Sequence, residues 1–322
     1  MARRTALAVG LFTFIVSAAT AVAQTYPARP VRVLVPWPAG GSIDTTARVV
    51  MQRLGAVTNG SFVVDNRAGA AGTIGAELVA KSAPDGYTLM VHSATHVANV
   101  TTYKSLPYRT LEDFMPIAFL SAQPAVLVVH PSLPVKTPRE FIALAKSQPD
   151  RINYASSGNG SSPHLAMALF TTSANIKLVH VPFRGGPPAF TSLLSGETQA
   201  SIATLPNALP HIAAGRVRGL GVTTAKRVQS APNIPTIAES GLPGYEMNPW
   251  ISLFGPAGMK SELVDELNAT VNRILREPEV AKIMVSQGLE PWTGSSRELA
   301  ARMRADLDKF RKLIMTIGIR ND

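Results

Sequence analysis

The chain alternates short apolar runs of strand length with segments of helical period, and nothing else in the sequence constrains the fold as strongly. Residues 31–35, 62–64, 88–91, 125–129 and 178–181 read as short buried strands, with 218–223 a further, less apolar one. Helical patterns lie between them at 45–54, 75–81, 139–146, 164–172 and 188–194. Thr137-Pro138-Arg139-Glu140 reads as a capping box, with Pro at the first helical position and Glu reaching back to the cap. Ser295-Ser296-Arg297-Glu298 repeats it before a last helix striped by Leu299, Met303, Leu307, Phe310 and Leu313. Another helix near 262–276 carries Leu263, Leu267, Val271, Ile274 and Leu275 on one face. Such alternation argues for an α/β architecture with mainly parallel sheets. Right-handed crossovers then gather the strand-to-helix loops along one sheet edge, where binding residues belong.

The N-terminus indicates where the protein works. A short basic start at 1–4 precedes a mostly apolar stretch at 6–19, and Ala21-Val22-Ala23 gives the small-x-small pattern that signal peptidase needs. The apolar stretch is too short to span a bilayer, so residues 1–23 read as a cleaved signal peptide. Removing those 23 residues from 322 leaves 299, a length suited to one large domain or two ordinary ones. No second long apolar run follows. With no cysteine in the chain, disulfides, thiolate metal sites and a Cys nucleophile are excluded. A formal charge of +10, or +8 without Arg3 and Arg4, suggests nucleic acid. The Lys and Arg residues are scattered singly, however, without basic runs or aromatic interleaving, so no nucleic-acid partner is expected.

Four turns carry the right chemistry for a small anion. Pro38-Ala39-Gly40-Gly41-Ser42-Ile43-Asp44 joins the first strand to a helix. Tyr154 to Ser162, through Ser156, Gly160 and Ser161, leads past Pro163 into a helix near His164. Pro182-Phe183-Arg184-Gly185-Gly186 and Ala203-Thr204-Leu205-Pro206-Asn207 are the others. No loop has the spacing of a P-loop or a dinucleotide fingerprint, which argues against a nucleotide and for a small carboxylate held by backbone donors. Either glycine loop alone is equally well a tight turn before a helix cap. Two of them, each opening a helix, favour an anion held between them. Asp44 in a first helical turn either answers the helix dipole or accepts from a ligand ammonium, hydroxyl or amide.

Enzyme chemistry finds less support. No G-x-S-x-G elbow is present. His92 and His96 have zinc-like spacing but lack an adjacent Glu, and read as ordinary histidines in a loop. Neither a catalytic residue, a metal nor a cofactor is expected. His164 is the histidine placed near a ligand, and Trp37 either fills core or walls the pocket.

The stretches YPARPVRVLVPWPAGGSIDTTAR, NRAGAAGTIGAELVAKSAPDGYTL, NYASSGNGSSPHLA, VHVPFRGGPPAFTSLLSGE, LPNALPHIAAGRVRGLGVT and IPTIAESGLPGYEMNPWISLFGPAG occur in that order. Together they resemble the Bug-type periplasmic receptors, the substrate-binding proteins of tripartite tricarboxylate transporters. The resemblance implies a two-domain periplasmic-binding-protein fold, type II-like, closing as a Venus flytrap on a carboxylated ligand in the cleft. It carries over Gly40, Gly41, Asp44, Ser161, Ser162 and His164 as ligand contacts, with Thr204 an addition, and Trp37, Ala39, Ser156 and Gly160 complete the expected ligand-binding set. Domain I is expected at 26–122 plus 251–322 and domain II at 123–250, with crossings near 121–125 and 246–251. Ala68, Ile43 and Ala203-Thr204 depart from the family pattern, and Ile43 is expected to make the pocket more apolar. The implied protein is a periplasmic monomer that hands a small carboxylate to membrane permease subunits. A secreted hydrolase or a sensor for a signalling kinase is the alternative. The mature protein is expected to begin at Gln24, which intact-mass analysis of the exported form checks; retention of Met1 there would contradict it.

Overall fold

The computed structural model describes residues 26–318, so the signal peptide expected at residues 1–23 lies outside the described residues. Strand β1 (Val31–Val35) buries Val31, Val33, Leu34 and Val35 on both of its faces. That is the pattern of a central strand covered by helices on either side. The chain continues through α1 (Ser42–Thr58), β2 (Phe62–Asn66), α2 (Thr73–Ala80), β3 (Thr88–Ser93), α3 (Thr95–Thr102) and β4 (Phe114–Ala122). It then runs through β5 (Ala125–Val129), α4 (Pro138–Ser147), β6 (Asn153–Ser156), α5 (Ser162–Ala174), β7 (Val179–Pro182) and α6 (Gly186–Ser195). Next come β8 (Ala200–Thr204), α7 (Leu205–Ala213), β9 (Arg218–Val222), α8 (Ile237–Ser240) and β10 (Trp250–Pro256). The final elements are α9 (Ser261–Leu275), α10 (Pro278–Ser286), β11 (Glu290–Pro291) and α11 (Ser296–Ile317).

These strands form two sheets, ordered β11-β4-β10-β3-β1-β2 and β7-β6-β8-β5-β9. The expectation of mainly parallel sheets needs correction. Pairs β1–β2, β1–β3, β6–β7 and β6–β8 are parallel, whereas β10 runs antiparallel to β3 and β4, β11 to β4, and β5 to β8 and β9. The physical reason lies in the path of the chain. β4 passes into β5 through Gln123-Pro124 alone, and β10 brings the chain back, so neither strand follows a helical crossover within its own sheet. The two passages are tied together where Gln123 N–H donates to Pro249 O at 2.7 Å.

One apolar cluster fills the first sheet's face beneath α1, α9 and α10, with Val33, Met51, Leu54, Leu267 and Ile274 buried in it. A larger one runs from Leu34 and Met90 of the first sheet to Leu127 and Phe170 of the second half, and takes in Leu299, Met303, Phe310 and Leu313 of α11. The α11 stripe packs on both α3 and α5. Its start is a complete capping box between Ser295 and Glu298. At α4 the cap is only half of one: Thr137 accepts from Glu140 N–H, but Glu140 reaches Lys136 N–H, one residue before the cap. Buried Asp306 accepts from Trp250 Nε1 at 2.7 Å and from Arg302 Nε at 2.8 Å, pinning α11 to β10. Asp306→Ala leaves that indole N–H unpaired and is expected to destabilise the protein by about 2–3 kcal/mol in urea unfolding.

Candidate functional site

In α/β sheets, ligands bind beyond the C-terminal ends of the parallel strands. Here β1 and β3 of one sheet and β6, β7 and β8 of the other end at a shared cleft, and each leads directly into a helix. Residues from the first turns or caps of α1, α3, α5, α6 and α7 line it: Ser42, Thr95, Ser162, Gly186 and Thr204. Five helix N-termini therefore converge on one space. The first N–H groups of a helix have no intrahelical acceptor, and the aligned peptides place about half a positive charge at that end. Prolines 163, 187, 188 and 206 occupy first-turn positions in α5, α6 and α7, where a missing N–H does no harm. The backbone donors that remain are few.

No Asp, Glu, Lys, Arg or His side chain lines the cleft among the described residues. Within the lining itself, positive potential is that of the helix N-termini. Ile43, Ala189, Phe190, Ile202 and Ala203 supply an apolar wall, the part of Ile43 as expected. The free space is about 60 Å3, room for a few water molecules at about 10–15 Å3 each. Direct contacts hold the two halves together around it. Ser162 Oγ of α5 lies 3.2 Å from Thr95 Oγ1 of α3, and Gln123 Nε2 donates to Ser42 Oγ. A Cβ on Gly160 would sit 2.7 Å from Thr102 Cγ2, and its φ of +71° also favours glycine. Three buried side-chain atoms of lining residues have no partner among the described residues: Trp37 Nε1, Gln123 Oε1 and Thr204 Oγ1. Leaving such a group unpaired costs about 1–3 kcal/mol.

Of the eleven residues expected here, Trp37, Gly41, Ser156, Ser161, Ser162 and Thr204 line the cleft. Ala39 and Gly40 are exposed outside it, and Asp44, Gly160 and His164 stand behind it. Asp44 is filled from within. One oxygen accepts from Gly40 N–H at 2.9 Å and Arg48 Nε at 3.0 Å, the other from Asn66 Nδ2 at 3.0 Å. Burial opposes its ionisation, but the Arg48, Gly40 and Asn66 bonds outweigh it and hold the carboxyl below its ordinary value. Asp44 therefore fixes the loop rather than offering a free acceptor to a ligand.

His164 plays a similar part. Its Nδ1 accepts from Gly160 N–H at 3.1 Å, and its ring stacks on His180 at 3.9 Å. Burial, then the neighbouring His180, pull it to about 3, so it brings no charge to the cleft at neutral pH. Ser156 Oγ lies 2.6 Å from His180 Nε2, a contact that resembles a nucleophile and its base. Burial pulls that histidine to about 4, too weak a base at neutral pH, and the hydroxyl is also bound to Gly158. His92 stands in β3 and His96 in α3, not in a loop as expected; both are fully buried away from the cleft. Sequence reasoning missed Gln123, Thr95 and Ser201 at the cleft. A glutamine between two strands and single hydroxyls carry no pattern; only the folded crossing brings them in.

A family model described as the tripartite tricarboxylate transporter family receptor matches residues 46–319. The chain belongs to that family. Within it, BugT of Bordetella pertussis is 34% identical over 307 residues, covering 89% of this chain and 94% of BugT. Rpa4515 of R. palustris, solved with adipate, superposes with a TM-score of 0.88 at 35% identity, covering 92% of this chain and 99% of that one. MatC from Rhodopseudomonas palustris, with bound malate, gives 0.83 at 31%, covering 90% and 100%. The receptor family and these solved relatives share the two-domain binding-protein fold.

Because Asp44 bonds only its own chain, Asp44→Ala is expected to weaken binding whatever the ligand's chemistry, and to destabilise the protein by about 1.5–3 kcal/mol. Its folded-state pKa is depressed, so the stability it contributes is complete above its ordinary value of 3.8 and is lost as pH falls through the lower folded value. Urea unfolding of wild type and variant across that range checks both.

Proposed function

We propose that this chain is an extracytoplasmic receptor that closes on a small carboxylate and delivers it to the membrane subunits of a tripartite tricarboxylate transporter. The convergence of five helix N-termini on an enclosed cleft without charged side chains carries this reading. Each terminus favours an anion by about 0.3–1 kcal/mol when exposed and up to about 2 kcal/mol when partly buried. An anion held this way is released intact when the halves part. The adipate and malate of the solved relatives support a carboxylate as cargo. Membership of the receptor family and the signal-like first 23 residues together support export to the periplasm.

The domain limits that suit this action are 26–122 plus 251–322 and 123–250. Sheet membership supports them: β1–β4, β10 and β11 form one sheet and β5–β9 the other. The hinge is then Gln123-Pro124 together with the backbone before Trp250, short segments able to change dihedrals without unfolding.

A thermal-shift screen of carboxylates tests the reading. A true ligand at 100 times its Kd should add about 2.7 kcal/mol of stability, and small-angle scattering should show compaction on binding. Gly41→Val is the matching variant. Gly41 has an ordinary φ of −79° and a Cβ there would meet only Pro38 O at 3.6 Å, so the variant should fold and melt normally. Its bulk at the cleft should lower affinity at least tenfold by calorimetry. Wild-type affinity in folded Gly41→Val would show that the loop is only a turn.

A further inference from the structure

Beside the cleft lies a second, wider space of about 550 Å3, and Trp37, Pro38 and Ser157 line both. Residues 36–38, 68–72 and Tyr103 wall it from the half that holds β1, and residues 157–159 and 183–185 from the half that holds β6. Arg184 is its one charged lining side chain among the described residues, so nothing acidic there opposes the passage of an anion.

The halves touch where the two spaces meet. Gly185 lines the outer space and Gly186 the inner one. The Pro38 ring lies directly against Gly185, since a Cβ there would meet Pro38 Cγ at 3.0 Å and Cδ at 3.4 Å. A φ of +119° favours glycine at this position as well. Each partner is held from behind. Asn66 Nδ2 donates to Trp37 O at 3.0 Å, one residue before Pro38, and Phe183 N–H donates to Ser156 O at 3.0 Å, two residues before Gly185. The contact of Thr102 with Gly160 continues the seam: Tyr103 and Asn159 beside it line the outer space, and Ser161 the inner.

We infer that the Pro38–Gly185 contact is the gate of the cleft: an acid enters and leaves through the outer space, and release requires these two residues to part. The inference rests on the carboxylate-receptor reading and adds a route and a gating residue to it. Pro38 and Gly185 stand in loops on opposite sides of the proposed hinge, so their contact is made on closing and broken on opening. Such a contact stabilises the closed state alone, and its loss falls on the release rate more than on the association rate.

The chain has no cysteine, which allows the gate to be locked chemically. A Cβ on Gly185 would lie 4.0 Å from Pro38 Cβ, within the span of about 3.5–4.5 Å that a disulfide bridges. The test takes the mature protein carrying Pro38→Cys and Gly185→Cys. Adipate, malate, succinate, butyrate and benzoate are titrated into wild type and variant, and the variant is oxidised with the tightest of them bound, desalted, and assayed for retained acid by mass spectrometry. The oxidised form should keep the acid about a hundredfold longer than the reduced form, and dithiothreitol should release it unaltered. Pro38→Ala, which needs no unusual φ, should release the same acid about fivefold faster in stopped flow, with its association rate changed less than about twofold. A cross-linked protein that loses the acid as fast as the reduced one would overturn the inference, because the acid then leaves by another way. So would failure of the two cysteines to join in the folded, acid-bound variant. Should the double variant fail to fold or to bind, Pro38→Ala decides, and an unchanged release rate there overturns the gate. Each of these results leaves the receptor reading standing. Absence of binding by every acid to wild type, or recovery of the acid chemically altered, would overturn the receptor reading, and this inference with it.

Discussion

The first N–H groups of an α-helix must find an acceptor outside the helix, and in this protein five helices begin at one cleft. The rest of the site follows from that constraint. Backbone donors cannot swing away as a lysine does, so the potential they create is fixed by the fold. It is also unaffected by titration, since the nearby histidines are buried and neutral at neutral pH. Helix termini of this kind favour an anion.

Fixed donors require fixed loops, and the side chains that look most chemical are spent on that task. Asp44 ties the β1–α1 turn to Arg48 and Asn66, and His164 anchors Gly160 while leaning on His180. Behind the opposite wall, Trp250 and Asp306 join β10 to α11, which packs on both α3 and α5. The polar side chains that line the cleft are modest ones, hydroxyls such as Ser42, Thr95, Ser161 and Thr204 and the amides of Gln123 and Asn207.

Much of the scaffold was legible in the sequence because its causes are local. β1 and β5 coincide with the runs read at 31–35 and 125–129, since a buried strand needs consecutive apolar residues wherever it sits. The Ser295–Glu298 box marks the start of α11, because a cap is made by residues three apart. Strands β4, β6, β8 and β10 escaped notice. Asn153–Ser156 and Ala200–Thr204 are small and mixed in character, and are strands because neighbours on both sides complete their ladders. Helix α3 was hidden for a like reason: His96 and Asn99 are polar, yet sit fully buried among aromatic rings and backbone.

By itself the sequence determined the α/β alternation, the loops that open helices, and a resemblance extending over the mature chain. These are properties of residues close together along the chain, where dihedral preference and hydrophobic period act. Tertiary structure alone decided the division of labour among the candidate residues. Whether a carboxylate such as Asp44 faces a ligand or a neighbouring arginine depends on which side chains arrive from 22 residues away, at Asn66. Whether Gln123 is a linker residue or part of the site depends on Ser42, 81 residues earlier. Asp44 and Asn66 meet because β1 pairs with β2 in one sheet, Gln123 reaches Ser42 from the passage that leaves that sheet, and no local pattern encodes either meeting.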